Sequence, residues 1–263
     1  MHVQQTTFSA NLGFLWSDLP LPAAINAAKA AGFAAVECHF PYAFDPAEVR
    51  DALTETGLPL LGLNTAPGDL SAGDFGLAAL PGRVADAHAA IDQALRYAAA
   101  TGTGNVHVMA GNATGSEAEA CFTANLRYAC AAAAPHGITI LIEPLNHYDA
   151  PDYFLKTTDQ AIALMDQVGA ENLKLMFDCY HVQLMEGDIC NRLTRLLPRI
   201  GHVQFAAVPG RGQPDQGELH YPHIFRHLAA LGHIAPLGAE YRPDGPTEAS
   251  LGWMTPYLPA VTG

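Results

Sequence analysis

Basic residues are scarce in this sequence, and their scarcity argues against two classes of partner. The 263 residues include 13 Lys and Arg against 26 Asp and Glu, which gives a formal net charge of −13. An acidic chain without a basic stretch binds phosphate backbones and anionic membrane surfaces poorly. We therefore expect neither a nucleic-acid partner nor a membrane partner.

Long apolar runs and a disulfide pattern are also absent. No segment approaches the roughly 18–20 apolar residues that a membrane-spanning helix requires. The five cysteines are odd in number and irregularly spaced, so they do not form a disulfide framework. The N-terminal segment MHVQQTTFSANLG has neither a cationic start nor an apolar stretch, and we therefore expect no signal peptide and a cytoplasmic location.

What the sequence does contain is a regular alternation of short apolar runs with alanine-rich segments of helical periodicity. The runs predict strands at 8–12, 34–39, 59–64, 105–110, 138–143, 173–178, 200–206 and 235–241. The segments between them predict helices at 20–31, 46–56, 82–101, 116–134, 157–168, 189–197, 221–231 and 247–258. Helix starts are signalled by Asp45 before a proline, by Ser116 three residues ahead of Glu119, and by Thr157.

Eight strands that alternate with eight helices predict a parallel sheet with helical crossovers. One strand and one helix take about 33 residues, which suits a (β/α)₈ TIM barrel of roughly 250 residues. We therefore expect an α/β fold with one barrel domain over residues 1–263. A doubly wound open sheet is the alternative. Its glycine fingerprint should follow the first strand, whereas the nearest match, Gly102-Thr103-Gly104, precedes a strand, so we expect no nucleotide cofactor.

Four oxygen-bearing side chains end the last four expected strands. Glu143, Asp178, Gln204 and Glu240 are spaced 35, 26 and 36 residues apart, each about one repeat. In a barrel these strand ends meet at the active-site face. Three carboxylates in a partly desolvated site would repel one another unless a cation neutralised them, and an all-oxygen set suits Mg²⁺ or Mn²⁺ better than Zn²⁺. The alternative is that each acid caps a neighbouring helix or pairs with an arginine at the rim.

A set of segments spread along almost the whole chain has a specific pattern. They are SANLGFLWSDLP, VECHFPY, NTAPGDLSAGDFGLAALPGR, HVMAGN, LIEPLNHYDAPDYFL, FDCYHVQLMEGD, GHVQFAAVPGR, PDQGELHYPHIF and GAEYRPDGPTEASLGW. In these segments the chain resembles the hydroxypyruvate isomerase family, including its 2-oxo-tetronate isomerase branch, within the xylose-isomerase-like barrels. The resemblance implies a metal site at Glu143, Asp178, Gln204 and Glu240, with Glu143 and Glu240 as the proton donor and acceptor.

Two positions depart from the family pattern, and two segments point to different branches. Ala43 and Ala207 stand where the family usually has an acid, and both lie outside the ligand set. The segment NTAPGDLSAGDFGLAALPGR resembles the 2-oxo-tetronate branch, whereas IEPLNHYDAPDYFL resembles hydroxypyruvate isomerases proper.

Three further residues are candidates for substrate contact. His181 follows the strand end at Asp178, and a resemblance to related sugar epimerases suggests that it bonds a substrate hydroxyl; a loop histidine held by backbone is the alternative. Arg211 follows the seventh expected strand and can hold a substrate carboxylate, since so acidic a protein needs a local cation for an anionic ligand. Glu218 is expected in the same loop, with a helix N-terminal acid as the alternative.

The reaction that we expect from this resemblance is aldose–ketose isomerisation of a small hydroxy-oxo acid through an enediolate, with hydroxypyruvate giving tartronate semialdehyde. A 2-oxo-tetronate isomerase is the alternative. A ketose 3-epimerase usually has histidine where this chain has Gln204. A repair nuclease would need a basic face and more histidine ligands. A metal-binding barrel without catalysis is the non-enzyme alternative, and a homo-oligomer is left open.

Overall fold

The computed structural model describes residues 6–258 and contains eight short parallel strands, each followed by helical chain. Residues 1–5, part of the segment on which we expect no signal peptide, lie outside this range. The strands are β1 Phe8–Asn11, β2 Ala35–Glu37, β3 Gly62–Asn64, β4 Asn105–His107, β5 Thr139–Ile142, β6 Leu173–Asp178, β7 Ile200–Phe205 and β8 Leu237–Ala239. All eight expected strands are present, and most are shorter than the apolar runs that predict them.

The sheet closes on itself between β2 and β3. The hydrogen-bonded order of the strands is β2-β1-β8-β7-β6-β5-β4-β3, which leaves β2 and β3 at its two edges. The amide of Val36 donates to the carbonyl of Pro59 at 3.0 Å, and the amide of Cys38 donates to Gly62 at 3.1 Å. These bonds join the edges into a (β/α)₈ barrel, which confirms the expected fold and makes the open-sheet alternative wrong.

Eight α-helices lie around the barrel in the part of the chain that the structure describes. They are α1 Leu21–Ala30, α2 Pro46–Thr56, α3 Val84–Thr101, α4 Gly115–Ala133, α5 Thr158–Val168, α6 Cys179–Met185, α7 Ile189–Leu196 and α8 Tyr221–Ala230. The last expected helix is instead a 3₁₀ helix, Thr247–Tyr257. Pro256 lies inside that segment and has no N–H to donate to an α-helical ladder. No helix of the described range is long and apolar enough to cross a membrane.

The helix starts follow local capping chemistry at two of the three expected places. Asp45 accepts a hydrogen bond from the amide of Ala47 at 2.8 Å, and Thr157 accepts one from the amide of Gln160 at 3.2 Å. The third helix, α4, begins at Gly115, one residue before the expected start, and its N-cap is Thr114 rather than Ser116. A Ser and a Glu three residues apart also occur together inside a helix, so that pattern marks a start only when the first residue has left the helical conformation.

The strand ends gather the expected site residues at one face of the barrel. Glu143 directly follows β5, and Glu240 directly follows β8. Asp178 is the last residue of β6 and pairs in register with Gln204 of β7, which in turn pairs with Gly238 of β8. Parallel strands bring their carboxyl ends to one side, so these four side chains arrive on consecutive strands.

Candidate active site

A cavity of about 320 Å³ opens at the carboxyl ends of the strands. Its polar lining includes Glu143, His181, Arg211, Glu240 and Arg242. Phe14 and Phe75 belong to its apolar lining. The volume is at the small end of the range for ligand pockets, so the cavity suits a ligand of a few heavy atoms.

Three of the four expected metal ligands each keep one buried oxygen without a hydrogen-bond partner among residues 6–258. These atoms are Oε1 of Glu143, Oδ2 of Asp178 and Oε1 of Gln204. Glu143, Asp178 and His181 also each offer a ligand atom within 4.8 Å of the others. Buried polar atoms are almost always satisfied in folded proteins, so three orphaned oxygens at neighbouring strand ends indicate a site for a cation. An all-oxygen donor set fits a hard divalent ion such as Mg²⁺ or Mn²⁺.

The fourth expected ligand, Glu240, is surrounded by donors. Its Oε1 accepts a hydrogen bond from Nδ2 of Asn11 at 2.8 Å and lies 2.9 Å from Nε2 of His39. Its Oε2 accepts a hydrogen bond from Arg211 at 2.7 Å. Burial alone would raise the pKa of Glu240, but Arg211 and His39 outweigh it and lower the pKa to about 2. Glu240 is therefore ionised at neutral pH.

Glu143 and Asp178 have the opposite electrostatic environment. Burial, followed by the charges of Glu240 and Asp178, raises the pKa of Glu143 well above its usual value. Burial also raises the pKa of Asp178, to about 7, although Arg211 opposes the shift. Both carboxylates would become more acidic beside a positive charge.

Arg211 supplies positive charge to the acidic cluster. Its guanidinium lies 2.7 Å from Glu240, 3.6 Å from Asp178 and 3.5 Å from Asp149. Burial alone would lower the pKa of Arg211, but the surrounding carboxylates raise it. The expected substrate-binding arginine therefore lines the cavity and also acts as a counter-ion to two of the expected ligands.

Arg242 is a second cation at the cavity, and the sequence reasoning did not single it out. Its guanidinium lies 5.5 Å from the centre of the Phe14 ring, against 4.9 Å for Arg211. Within residues 6–258 the Arg242 side chain forms no ion pair, unlike Arg211. Its position two residues after Glu240, just beyond β8, is the signal that could have identified it, because both side chains line the cavity.

His181 is held by backbone and also faces the cavity. The amide of Asn146 donates to Nδ1 of His181 at 3.0 Å, so the neutral ring carries its proton on Nε2. Nε2 lies 3.7 Å from Asp178 and 3.9 Å from Glu143. Burial, followed by Arg211, lowers the pKa of His181 well below its usual value. The ring thus presents an N–H donor to the cavity, which suits a substrate oxygen better than a metal ion.

Two other residues complete the comparison with the sequence. Glu218 is exposed on the loop after β7, does not line this cavity, and accepts a hydrogen bond from Gln183 at 3.2 Å. His107, at the end of β4, does line it, with Nδ1 3.7 Å from Glu143. Burial lowers the pKa of His107 to about 3, so this ring is neutral.

Comparison with known proteins gives a consistent family. The sequence model of the xylose isomerase-like TIM barrel matches residues 25–257. A 2-oxo-tetronate isomerase of Cupriavidus necator is 47% identical over 255 residues, which cover 95% of this chain and 98% of that protein. The hydroxypyruvate isomerase of Escherichia coli is 38% identical over 254 residues, with 95% and 98% covered. A crystal structure of an AP endonuclease, family 2, from Brucella melitensis is 38% identical, covers 97% of this chain and 100% of its own, and has a TM-score of 0.93.

A closed (β/α)₈ barrel with an acidic site at its carboxyl face defines the class of protein. The chain belongs to the xylose isomerase-like TIM-barrel family and, within it, to the group whose curated relatives are hydroxypyruvate and 2-oxo-tetronate isomerases. The resemblance read from the sequence segments is thereby confirmed.

Proposed function

We propose that this protein is a metal-dependent aldose–ketose isomerase of a small hydroxy-oxo acid. The observation that carries the proposal is the set of three buried oxygens without partners on Glu143, Asp178 and Gln204, beside the ionised Glu240. These four residues would hold one Mg²⁺ or Mn²⁺. When bound, the cation would supply Lewis-acid chemistry, with positive charge beside the substrate's carbonyl and hydroxyl oxygens.

The proton transfer in this proposal belongs to two glutamates. Glu143 and Glu240 end the first and last of four consecutive strands, so a substrate in the cavity lies between them. One carboxylate removes the proton from the carbon beside the carbonyl, and a carboxylate returns a proton to the neighbouring carbon, which moves the carbonyl by one position. The N–H at Nε2 of His181 would donate to a substrate oxygen during the transfer, which its place in the cavity lining supports.

The substrate's carboxylate needs a cation, and the cavity has two. Arg211 already neutralises Glu240 and Asp178, whereas Arg242 makes no ion pair within the described residues. We therefore assign the carboxylate to both arginines, with Arg242 as the one whose charge is not already shared with protein carboxylates.

A 2-oxo-tetronate and hydroxypyruvate are the two candidate substrates. The 47% identity to a 2-oxo-tetronate isomerase and the segment at 64–83 favour the former. The segment at 142–155 and the 38% identity to a hydroxypyruvate isomerase support hydroxypyruvate. The test is an assay of purified protein with Mn²⁺, with hydroxypyruvate, 2-oxo-tetronates and free ketoses offered side by side. Turnover of a hydroxy-oxo acid supports the proposal, and turnover of ketoses alone would replace it with epimerisation.

The same assay should include duplex DNA with an abasic site, because one similar structure carries an endonuclease name. The net charge of −13 and the carboxylates that line the cavity both oppose binding of a phosphate backbone. We expect no cleavage. Stoichiometric Mn²⁺ binding without any turnover would instead favour a binding protein.

A further inference from the structure

Three buried polar side chains form a hydrogen-bonded group inside the barrel, beneath the site. Nε2 of His202 lies 2.5 Å from Oε2 of Glu37, and Nε2 of Gln204 donates to Oε1 of Glu37 at 3.3 Å. The three residues are 5%, 3% and 3% exposed. Glu37 comes from β2 and the other two from β7, so the contacts cross the barrel interior.

The contact with Glu37 defines which way the amide of Gln204 points. A carboxylate only accepts hydrogen bonds, whereas the amide has a donor end and an acceptor end. Glu37 therefore selects the Nε2 end of Gln204 and turns Oε1 away. That Oε1 is the buried oxygen without a partner in the described range.

Strand β8 has a glycine beside this group, so no side chain of β8 fills the space that the three residues occupy. Gly238 is the register partner of Gln204. A Cβ at Gly238 would lie within 2.8 Å of Glu37 Oε1, Gln204 Cγ and His202 Nε2, so any side chain there would displace all three residues. The strand glycine Gly62 differs, because a Cβ there would approach its nearest neighbour only to 3.7 Å.

We infer that Glu37 is a positioning residue for Gln204, which fixes the amide so that Oε1 faces the cation site. His202 in turn holds the Glu37 carboxylate by a hydrogen bond. Gly238 has no side chain and so leaves space for all three residues. The choice of glutamine at 204 follows from the same contact, because a carboxylate there would face the Glu37 carboxylate across about 3.3 Å and be repelled. The part that concerns the cation rests on the proposed function.

Exchanging the two side chains tests the inference. Glu37→Gln keeps the size of the side chain but lets it donate as well as accept, so Gln204 can present its NH₂ end to the site. We expect the dissociation constant for Mn²⁺, measured by calorimetry, to rise about 10- to 100-fold, the usual effect of removing an outer partner of a metal ligand. Gln204→Glu alone should also weaken binding, through repulsion by Glu37.

The double variant Glu37→Gln/Gln204→Glu restores the pairing with donor and acceptor reversed. The new carboxylate has two equivalent oxygens, so it accepts from the new amide and still offers an oxygen to the cation. We expect Mn²⁺ affinity to return to within about threefold of the original, which a merely structural defect at position 37 would not produce. Gly238→Ala should weaken Mn²⁺ binding, while the control Gly62→Ala should not. An unchanged affinity in Glu37→Gln would overturn the inference, as would failure of the double variant to recover affinity.

A second readout works without any metal. In ¹⁵N-labelled protein the side-chain NH₂ signals of Gln204, assigned by their loss in Gln204→Glu, should exchange slowly with solvent and shift in Glu37→Gln. If the original protein bound no Mn²⁺ but these signals behaved as expected, the proposed function would fail while the orientation of Gln204 by Glu37 stood. Signals that Glu37→Gln leaves unmoved would overturn the orientation itself.

Discussion

At the scale of single residues, the two proposed proton-transfer glutamates differ in what surrounds them. Glu240 is held by Asn11, His39 and Arg211, whereas one oxygen of Glu143 has no hydrogen-bond partner in the described range. In the proposed site each carboxylate would also offer an oxygen to the cation, and an oxygen survives the change to glutamine. Changing each to glutamine therefore separates proton transfer from metal binding.

The first prediction concerns these two variants. Glu240→Gln and Glu143→Gln should each lower kcat by roughly 10²–10⁴-fold, because a positioned acid or base contributes about that factor. Mn²⁺ affinity should fall much less. The exchange of substrate protons with solvent deuterium distinguishes the roles, since a variant that lacks only the donor still incorporates deuterium without forming product. A near-normal kcat with saturating Mn²⁺ in both variants would rule out the glutamates and make His181 the next candidate.

The second prediction separates the two arginines. Arg211→Met and Arg242→Met should each raise KM about 10- to 100-fold, because a charge-assisted hydrogen bond contributes about 1.5–3 kcal/mol and each ~1.4 kcal/mol is tenfold. Only Arg211 also neutralises protein carboxylates. At both Asp178 and Glu240, burial acts to raise the pKa of the carboxyl and the charge of Arg211 acts to lower it.

The pH profile of Mn²⁺ binding should therefore distinguish Arg211 from Arg242. Without Arg211 the pKa values of the Asp178 and Glu240 carboxyls rise. Protons then compete with the cation at higher pH, so the acid limb of the binding profile moves to higher pH. Arg242→Met should leave that limb in place. An unchanged KM in Arg242→Met would return the substrate carboxylate to Arg211 alone.

At the scale of elements, Asp178 joins a strand, a helix and the site. Its Oδ1 accepts from the amide of Tyr180 at 2.9 Å and so caps α6, while Oδ2 has no hydrogen-bond partner in the described range. One carboxylate thus ends β6, starts α6 and leaves one oxygen for the site. The sequence reasoning treated helix capping and metal binding as alternatives for each acid, and at Asp178 the geometry accommodates both.

The third prediction follows from that division of the carboxylate. Asp178→Ala should abolish stoichiometric Mn²⁺ binding and also lower the free energy of unfolding by about 0.5–2 kcal/mol through the lost cap. Asp178→Asn should keep the cap, because asparagine caps helices as well as aspartate does, and it also keeps an oxygen for the cation, so it should weaken Mn²⁺ binding less than Asp178→Ala does. Calorimetry and thermal unfolding measure the two effects. Wild-type Mn²⁺ binding in either variant would remove Asp178 from the proposed ligand set.

Local chemistry explains which elements could be predicted. The alternation of apolar runs with alanine-rich segments, and caps such as Asp45 and Thr157, depend on neighbours within a few residues. The sequence does not signal helix α6, because the helix follows β6 without an intervening loop and spans only seven residues. The 3₁₀ helix at Thr247–Tyr257 was mistaken for an α-helix although Pro256 lies inside it.

Contacts between distant residues explain what could not be predicted at the site. The strand-end rule brought out the four oxygen side chains because each ends its own strand. It could not bring out Glu37, whose partner His202 lies 165 residues away in the chain. Nor could it reveal that Arg211 is the counter-ion of Glu240, because the approach of the loop after β7 to β8 leaves no periodic trace in the sequence.

At the scale of the whole molecule, the barrel brings positive charge to a place where so acidic a protein would otherwise repel the anionic substrate that we propose. The chain carries a net charge of −13, yet Arg211 and Arg242 both line the cavity. The cation that we propose would add to this local positive charge. In the proposed isomerase, the metal is therefore needed both to bind the substrate and for the chemistry.

The most direct test is a titration of metal-stripped protein with Mn²⁺ while isomerisation of a 2-oxo-tetronate and of hydroxypyruvate is followed by NMR. We expect no turnover after EDTA treatment and removal of the chelator, and a rise in rate that saturates at one equivalent of Mn²⁺ per chain for at least one substrate. Full turnover by the metal-stripped protein would rule out the metal-dependent isomerase that we propose, and so would a rate that stays at zero for both substrates with Mn²⁺ bound.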